Sequence, residues 1–327
     1  MTPATKPWSD WHARLHRHLK QTDLLPAGTA LLLGVSGGQD SLCLLRLLLD
    51  LRRLWAWDLR VLHADHRIRP DAAANAEHVR HLCAAWGVPC DVPVADRPLP
   101  SEAAARDWRY GVLGAIARQH GCPRVVVAHT ATDRAETLLH HLLRGSGSEG
   151  LGSLRPLRRL DGDRWLVRPL LEFSREDTGA VCAQFALPVW EDCTNAENRY
   201  LRNRIRNELL PYLRERINPG SERHLAQTAE ILAAEQDWLH QESESLYRRM
   251  VTGDRCRQAL SQAPLALQRR VLRRWLQDCR HVPVGFDATE AVRDLLQAPV
   301  GSRSSSLGRG CVRVHPGWLQ WEAASSD

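Results

Sequence analysis

Apolar runs and stretches of helical period take turns along the first two thirds of the chain. Residues 29–35 form an apolar run, and leucines at 42, 45, 48 and 49 then recur at helical spacing through a segment over 40–53. The alternation returns three times. A run over 59–66 precedes a helix over 72–86 that Asp71 caps; a run over 88–94 precedes a helix that Ser101 opens and that ends near His120; a β-branched run over 124–128 precedes a helix over 131–143. An amphipathic helix over 8–21, carrying Trp8, Trp11, Leu15 and Leu19, comes before them all. Strands alternating with helices imply right-handed crossovers and an α/β fold with a doubly wound parallel sheet. A glycine/serine loop over 145–152, a short strand over 165–171 and helices over 174–186 and 199–213 complete this part. Pro219-Gly220-Ser221 marks a boundary. After it, helical patterns over 223–250, 264–279 and 287–297 and a strand-like tail over 302–322 predict a smaller, mainly helical C-terminal domain. The expected domains are 1–216 and 217–327.

A doubly wound sheet binds its ligand beyond the carboxyl ends of its strands. Polar residues stand at those ends: Ser36 and Asp40 after the first strand, His63, Asp65 and His66 at the second, His129 and Asp133 at the fourth. The first strand is the most informative. It leads into Ser36-Gly37-Gly38-Gln39-Asp40-Ser41, a tight glycine turn that opens a helix. Free backbone N–H groups and the positive end of the helix dipole suit an anion there, and the two glycines allow close approach. No lysine follows the glycines, so this is not the GxxxxGK[ST] loop. Ser36 and Ser41 add hydroxyls, and Asp40 stands where a carboxylate holds Mg²⁺ against phosphate oxygens.

Asp133, Glu136 and Thr137 share one face of the helix after the fourth strand, so two carboxylates can meet a metal or an ammonium group. Glu102, Arg106 and Arg109 share a face of the helix before it. Residues 199–216 hold six arginines against two glutamates, and residues 266–280 hold five arginines against one aspartate. Tyr200 and Trp275 lie in these stripes, which read as an RNA-backbone footprint or as solvated helix faces.

Composition narrows the function without choosing it. The chain of 327 residues carries a net charge of +6, and all but two of its 44 basic residues are arginine, a side chain suited to bidentate phosphate contacts. No run is long and apolar enough for a membrane span and no leader pattern precedes a cleavage site, so a cytoplasmic protein is expected. The nine cysteines include no C-x-x-C pair, which argues against a zinc ribbon or a cluster built on such pairs.

The SGGQDS loop resembles the pyrophosphate loop of N-type ATP pyrophosphatases, and further elements in order resemble one family within them. They are His63-Ala64-Asp65-His66-Arg67-Ile68-Arg69, Arg106-Asp107-Trp108-Arg109-Tyr110, Ala128-His129 with Asp133, Glu136 and Thr137, and Leu143-Arg144-Gly145. Arg168-Pro169-Leu170-Leu171, Glu191-Asp192-Cys193-Thr194-Asn195 and Arg202-Asn203-Arg204-Ile205-Arg206 follow. The set resembles the tRNA(Ile)-lysidine synthase family in its compact form. That family adenylates C2 of the wobble cytidine of an isoleucine tRNA with anticodon CAU and lets the side-chain amine of free lysine displace AMP.

The resemblance implies ATP, Mg²⁺, this tRNA and L-lysine as ligands, with no membrane partner; a homodimer is compatible with it. By the same resemblance Ser36, Gly37, Gly38, Asp40, Ser41, His63, Asp65 and Arg144 hold ATP, with Asp40 also on the metal. Asp133 and Glu136 bind or deprotonate the amines of lysine, and Arg109 meets its carboxylate or the reacting phosphate. Arg106, His129, Thr137, Arg168, Arg202, Asn203 and Arg206 face the tRNA or substrate. The chain departs from the family's usual GHHxDDQxET at Thr130, Thr132 and Arg134, which puts in question the contacts of the missing acid. A thiolase of the same superfamily and a non-catalytic RNA-binding protein are the alternative readings.

Overall fold

Three consecutive leucines show how the sheet is covered. Leu31 and Leu33 pack into one apolar cluster and Leu32 into another, because successive strand side chains point to opposite faces. In the computed structural model, which describes residues 8–68, 70–190, 201–252, 256–308 and 310–323, these leucines form β1 (Ala30–Gly34). All three are fully buried, as in a parallel strand covered on both faces. Around β1 lie β2 (Asp58–Leu62), β3 (Cys90–Asp91), β4 (Arg124–Val127), β5 (Leu157–Asp161) and β6 (Arg164–Val167), in the order β3-β2-β1-β4-β6-β5. All pairings are parallel except β5 with β6. The order reverses between β1 and β4, so the switch point opens at the carboxyl ends of those two strands.

Helices α1 (Asp10–Thr22), α2 (Gln39–Trp55), α3 (Ala72–Ala85), α4 (Glu102–Gln119) and α5 (Ala131–Leu143) fall where periodicity predicts. Leucines surround α2 on more than one face: Leu42, Leu44, Leu45, Leu47, Leu48 and Leu51 are all buried. A helix apolar over most of its circumference is an interior helix.

Several boundaries differ from expectation, each for a local reason. The apolar run over 88–94 forms only a two-residue strand. Pro89 and Pro93 have no N–H to donate, yet their carbonyls accept from Val61 and Asp65, and pairing resumes as a single Asp65–Val94 bridge. The strand expected over 165–171 is the second arm of a hairpin. Its first arm, β5, is polar and was not expected, although Asp161-Gly162 is a hairpin-turn signal. The 145–152 loop contains a short helix, α6 (Ser148–Leu151), and α7 (Arg175–Gln184) follows the hairpin. The expected polar turn over 191–195 lies outside the described residues. Residues 201–217 alternate between short α turns, α8 (Leu201–Arg204) and α9 (Leu210–Tyr212), and wider π turns, Ile205–Leu209 and Leu213–Ile217.

The long helix α10 (Ser221–Thr252) follows, and the chain divides into compact units within it, between Ala233 and Ala234. The second unit contains α11 (Cys256–Gln262), α12 (Leu265–Arg280), α13 (Phe286–Asp294) and an antiparallel hairpin of β7 (Gly310–Val314) and β8 (Leu319–Ala323). Its core includes Leu272, Leu276, Val292 and Val312. Three of the five arginines of α12 are engaged inside this unit: Arg269 pairs with Glu290 at 2.8 Å, Arg274 with Glu244 at 2.9 Å, and Arg270 bonds Gln236. No described helix is long and apolar enough to cross a membrane.

Candidate active site

The loop after β1 is shaped from inside and held from outside. Gly37 has φ +86°, in the left-handed region that favours glycine. Ser41 Oγ donates to Gly38 O at 2.8 Å and accepts the Ser36 N–H at 3.2 Å, so this hydroxyl pins the turn. Ser36 Oγ accepts the Gly38 N–H at 3.3 Å. Two distant segments close on the loop. Asn75 Nδ2 donates to Ser36 O at 2.9 Å, and the Trp190 N–H donates to Gly37 O at 3.0 Å. Gly38 caps α2 without a side-chain hydrogen bond, which leaves the first-turn amides and the dipole of a 17-residue helix to an anion.

Beyond the loop a cleft of about 1130 Å³ opens at the carboxyl ends of β1, β2 and β4. Ser36, Gly38, Asp40, Ser41, His63 and Asp65 line one part of it. His63 is buried and donates Nδ1–H to Val35 O at 2.9 Å, which fixes its ring. Asp65 accepts the backbone N–H of Arg67 at 2.9 Å and so holds a residue at φ +54° beside the cleft. Asp40 is anchored to α7: Thr178 Oγ1 donates to its Oδ1 at 2.5 Å, and Arg175 pairs with its Oδ2 at 3.2 Å. Burial pushes the Asp40 pKa up; Thr178 and Arg175 counter this only in part, and the Asp133 charge adds to the rise.

Arg106, Arg109, His129, Asp133, Arg202 and Arg206 line the facing part. Asp133 sits in a capping box at the start of α5, accepting the Thr130 N–H at 2.8 Å and the Thr130 hydroxyl at 3.1 Å. Arg202 and Arg206 reach its other oxygen at 2.9 and 3.2 Å. Burial alone would raise the Asp133 pKa. Arg202, the Thr130 amide and Arg206 favour the charged form, and the carboxyl lies below its usual range. Burial pushes His129 down to about 3. Its Nδ1 accepts from Arg168 Nε at 3.2 Å, so the neutral ring carries its proton on Nε2.

Glu136 lies one turn deeper and is fully buried, not part of the cleft wall. Arg206 grips it with Nε at 2.5 Å and a terminal nitrogen at 2.9 Å, and Arg202 Nε adds a third bond at 3.1 Å. Two carboxylates from α5 and two arginines from the 201–217 segment thus form one closed ion cluster. The resemblance implies separate roles for these residues, the acids toward lysine and the arginines toward the tRNA or substrate. Here each arginine is also what holds the acids in place. The wide π turn at Ile205–Leu209 carries Arg206 and brings Asn207 to the cleft.

Four of the expected residues do not line the cleft. Thr137 donates its hydroxyl back to Asp133 O at 2.7 Å within α5. Arg144 is exposed at the C-cap of α5, the opposite end from Asp133. Arg168 is buried, with Arg155 O at 2.6 Å and His129 as partners, so it supports the wall from behind. Asn203 is not among the residues that line the cleft. Asn75, Arg175 and Trp190 were not singled out from the sequence, since no local pattern marks a residue that meets the loop across more than 30 positions.

The departures within the strand-four motif also have partners. Thr130 is the N-cap of α5. Thr132 donates its hydroxyl to Glu222 and accepts the Arg175 N–H at 2.9 Å. Arg134 is buried and pairs with Glu230 at 3.0 Å. A carboxylate from α10 therefore stands next to the position whose acid is missing.

Known proteins give this cleft its context. Residues 10–213 match the PP-loop domain family, whose members use ATP, and residues 256–320 match the TilS substrate binding domain. The chain is 49% identical over 318 residues to the tRNA(Ile)-lysidine synthase of Synechococcus sp., covering 97% of this chain and 98% of that one. It is 43% identical over 330 residues to the tRNA(Ile)-lysidine synthase of Nostoc sp., covering 95% and 96%. A solved U34-tRNA thiolase, NcsA from Methanococcus maripaludis, resembles 68% of this chain and 79% of its own at a TM-score of 0.58 and 16% identity, a likeness of fold alone. The full-length relatives and both domain matches support the lysidine reading over the thiolase alternative. With a PP-loop domain, a substrate binding domain of this kind and relatives matched almost end to end, the chain belongs to the tRNA(Ile)-lysidine synthase family.

Proposed function

We propose that this chain uses ATP to adenylate C2 of the wobble cytidine of the CAU-anticodon isoleucine tRNA, with release of pyrophosphate, and then joins free L-lysine there with release of AMP. The carrying observation is one cleft that combines an uncapped helix N-terminus behind a Gly-Gly turn with an aspartate held ionised on the facing wall. The amides after Ser36 and Gly38 hold the pyrophosphate part of ATP, and no covalent nucleophile is required, since positioning and charge stabilisation supply the catalysis. Asp133 attracts an ammonium group of lysine. Held below its usual range, this carboxyl stays charged and fixes that group in the cleft. Arg109 takes the lysine carboxylate or the reacting phosphate.

Mg²⁺ fits the donors present. It is held by one or two carboxylates together with phosphate oxygens and water, and Asp40 and Asp133 line one cleft close enough for their charges to interact. Among the described residues no group of three or more His, Cys, Asp or Glu side chains forms a dedicated metal cage, which suits an ion that arrives with the phosphates. When bound, it neutralises phosphate charge. Asp40 is the residue that would hold it.

Incubating the protein with ATP, isotopically labelled lysine and a CAU-anticodon isoleucine tRNA should add the mass of lysine, less water, to the anticodon nucleotide. Mass spectrometry of the digested RNA reads this directly. A gain that appears with a sulfur donor and not with lysine would refute the proposal. Asp40→Asn should lower AMP release by roughly 10²–10³-fold, the scale of one lost electrostatic stabiliser, while its thermal melt stays near wild type. Near-normal AMP release by that variant would show that Asp40 has no part in phosphate chemistry.

A further inference from the structure

Four arginines converge on one tyrosine. Tyr110 lies on α4 and lines the cleft. Arg106 and Arg109 come from the same helix, with guanidinium carbons 5.2 and 5.7 Å from the centre of its ring. Arg158 comes from β5, at 5.1 Å. Arg168, just past β6, is buried against His129 behind them. The charges that act most strongly on the Tyr110 phenol are these four arginines. They hold its pKa below the ordinary value although burial works the other way.

Like charges gathered this closely repel, and they raise the local concentration of anions. Arginine forks also fit phosphate bidentately. The open question is which anion the group serves. Pyrophosphate already has the β1–α2 turn. A lysine carboxylate is a single small group inside the cleft. The arginine group is neither: Arg106 and Arg109 line the cleft, whereas Arg158 is exposed on β5, the edge strand of the sheet, and is not part of the cleft wall. A ligand that uses all of them runs from the cleft outward and carries more than one charge. A phosphodiester chain does this; a free amino acid does not, and the phosphates of ATP are engaged at the β1–α2 turn at the other part of the cleft.

We infer that Arg106 and Arg158, set around Tyr110, form a phosphodiester subsite that grips the RNA backbone next to the nucleotide whose base enters the cleft. The inference rests on the functional reading above, in which RNA is the substrate. It adds Arg158 and Tyr110 to the site and predicts how they act. Arg158 contributes a phosphate contact on a single-stranded segment, so its loss changes the salt dependence as well as the affinity.

The test is a salt series of binding measurements with an anticodon stem–loop RNA on full-length wild type, Arg158→Ala and Arg158→Lys, with ATP binding measured in parallel. Arg158 is exposed, so both variants should fold. Arg158→Ala should weaken RNA binding several-fold and make the slope of log affinity against log salt shallower by about 0.7, with ATP binding unchanged. Arg158→Lys keeps the charge and should restore the slope, with affinity between the other two. Unchanged RNA affinity and slope in Arg158→Ala would overturn the subsite alone, as would a loss confined to ATP binding. A wild type that binds neither this RNA nor the whole tRNA would overturn the functional reading and the subsite together.

Discussion

Glu136→Gln is expected to lower stability by about 2–3 kcal/mol and to abolish most lysine-dependent turnover, without removing ATP binding. The carboxylate is fully buried and takes three hydrogen bonds from two guanidinium groups. A hydrogen bond to a charged group contributes about 1.5–3 kcal/mol, and breaking a buried pair from one side costs about 3–5 kcal/mol. The lower figure applies because Arg206 and Arg202 are 20% and 40% exposed and can turn toward water. Functional damage follows by displacement. Asp133 shares both arginines, so a released Arg206 moves the acid proposed to meet lysine. Urea melts and AMP release at saturating lysine give the two readouts. A variant with wild-type stability and a raised KM for lysine would instead mean that Glu136 meets the substrate directly.

Gly37→Ala is expected to weaken ATP binding by about 30–100-fold, equivalent to about 2–3 kcal/mol. Two costs combine. An alanine at φ +86° is strained by about 1–2 kcal/mol. A Cβ there would also stand 2.4 Å from Asn75 Oδ1 and 3.2 Å from Val79 Cγ2, so Asn75 must move and its bond to Ser36 O is lost. The neighbouring glycine is the control. Gly38 has φ −76°, and a Cβ would meet only Ser36 Oγ, at 3.5 Å. Gly38→Ala should melt like wild type and lose ATP affinity only as far as phosphate must approach its backbone. Calorimetric titration with ATP beside thermal melts separates the two. Equal melting temperatures and equal affinities for both variants and wild type would show that the turn does not cradle phosphate.

These expectations draw on different sources. The turn was legible in the sequence because every part of it is local: an apolar run, two glycines, a helix start within a dozen residues. The parallel sheet was legible for the same reason, since period two and period 3.6 are written within each element. The short β3 was written there too, in Pro89 and Pro93, and β5 in the Asp161-Gly162 turn, although strand hydrophobicity alone pointed elsewhere.

The order of motifs along the chain determined the family, and it named most of the residues that line the cleft. What each residue does was decided by contacts between elements far apart in sequence. Glu136 and Arg206 are 70 positions apart, and Asp40 and Arg175 are 135 apart. Nothing local in a helix of arginines says whether it faces water, RNA or a pair of buried acids, because charge pattern records polarity and not partners. The tertiary structure decides this by desolvation: a carboxylate at 0% exposure requires nearby cations, and here the 201–217 segment supplies them.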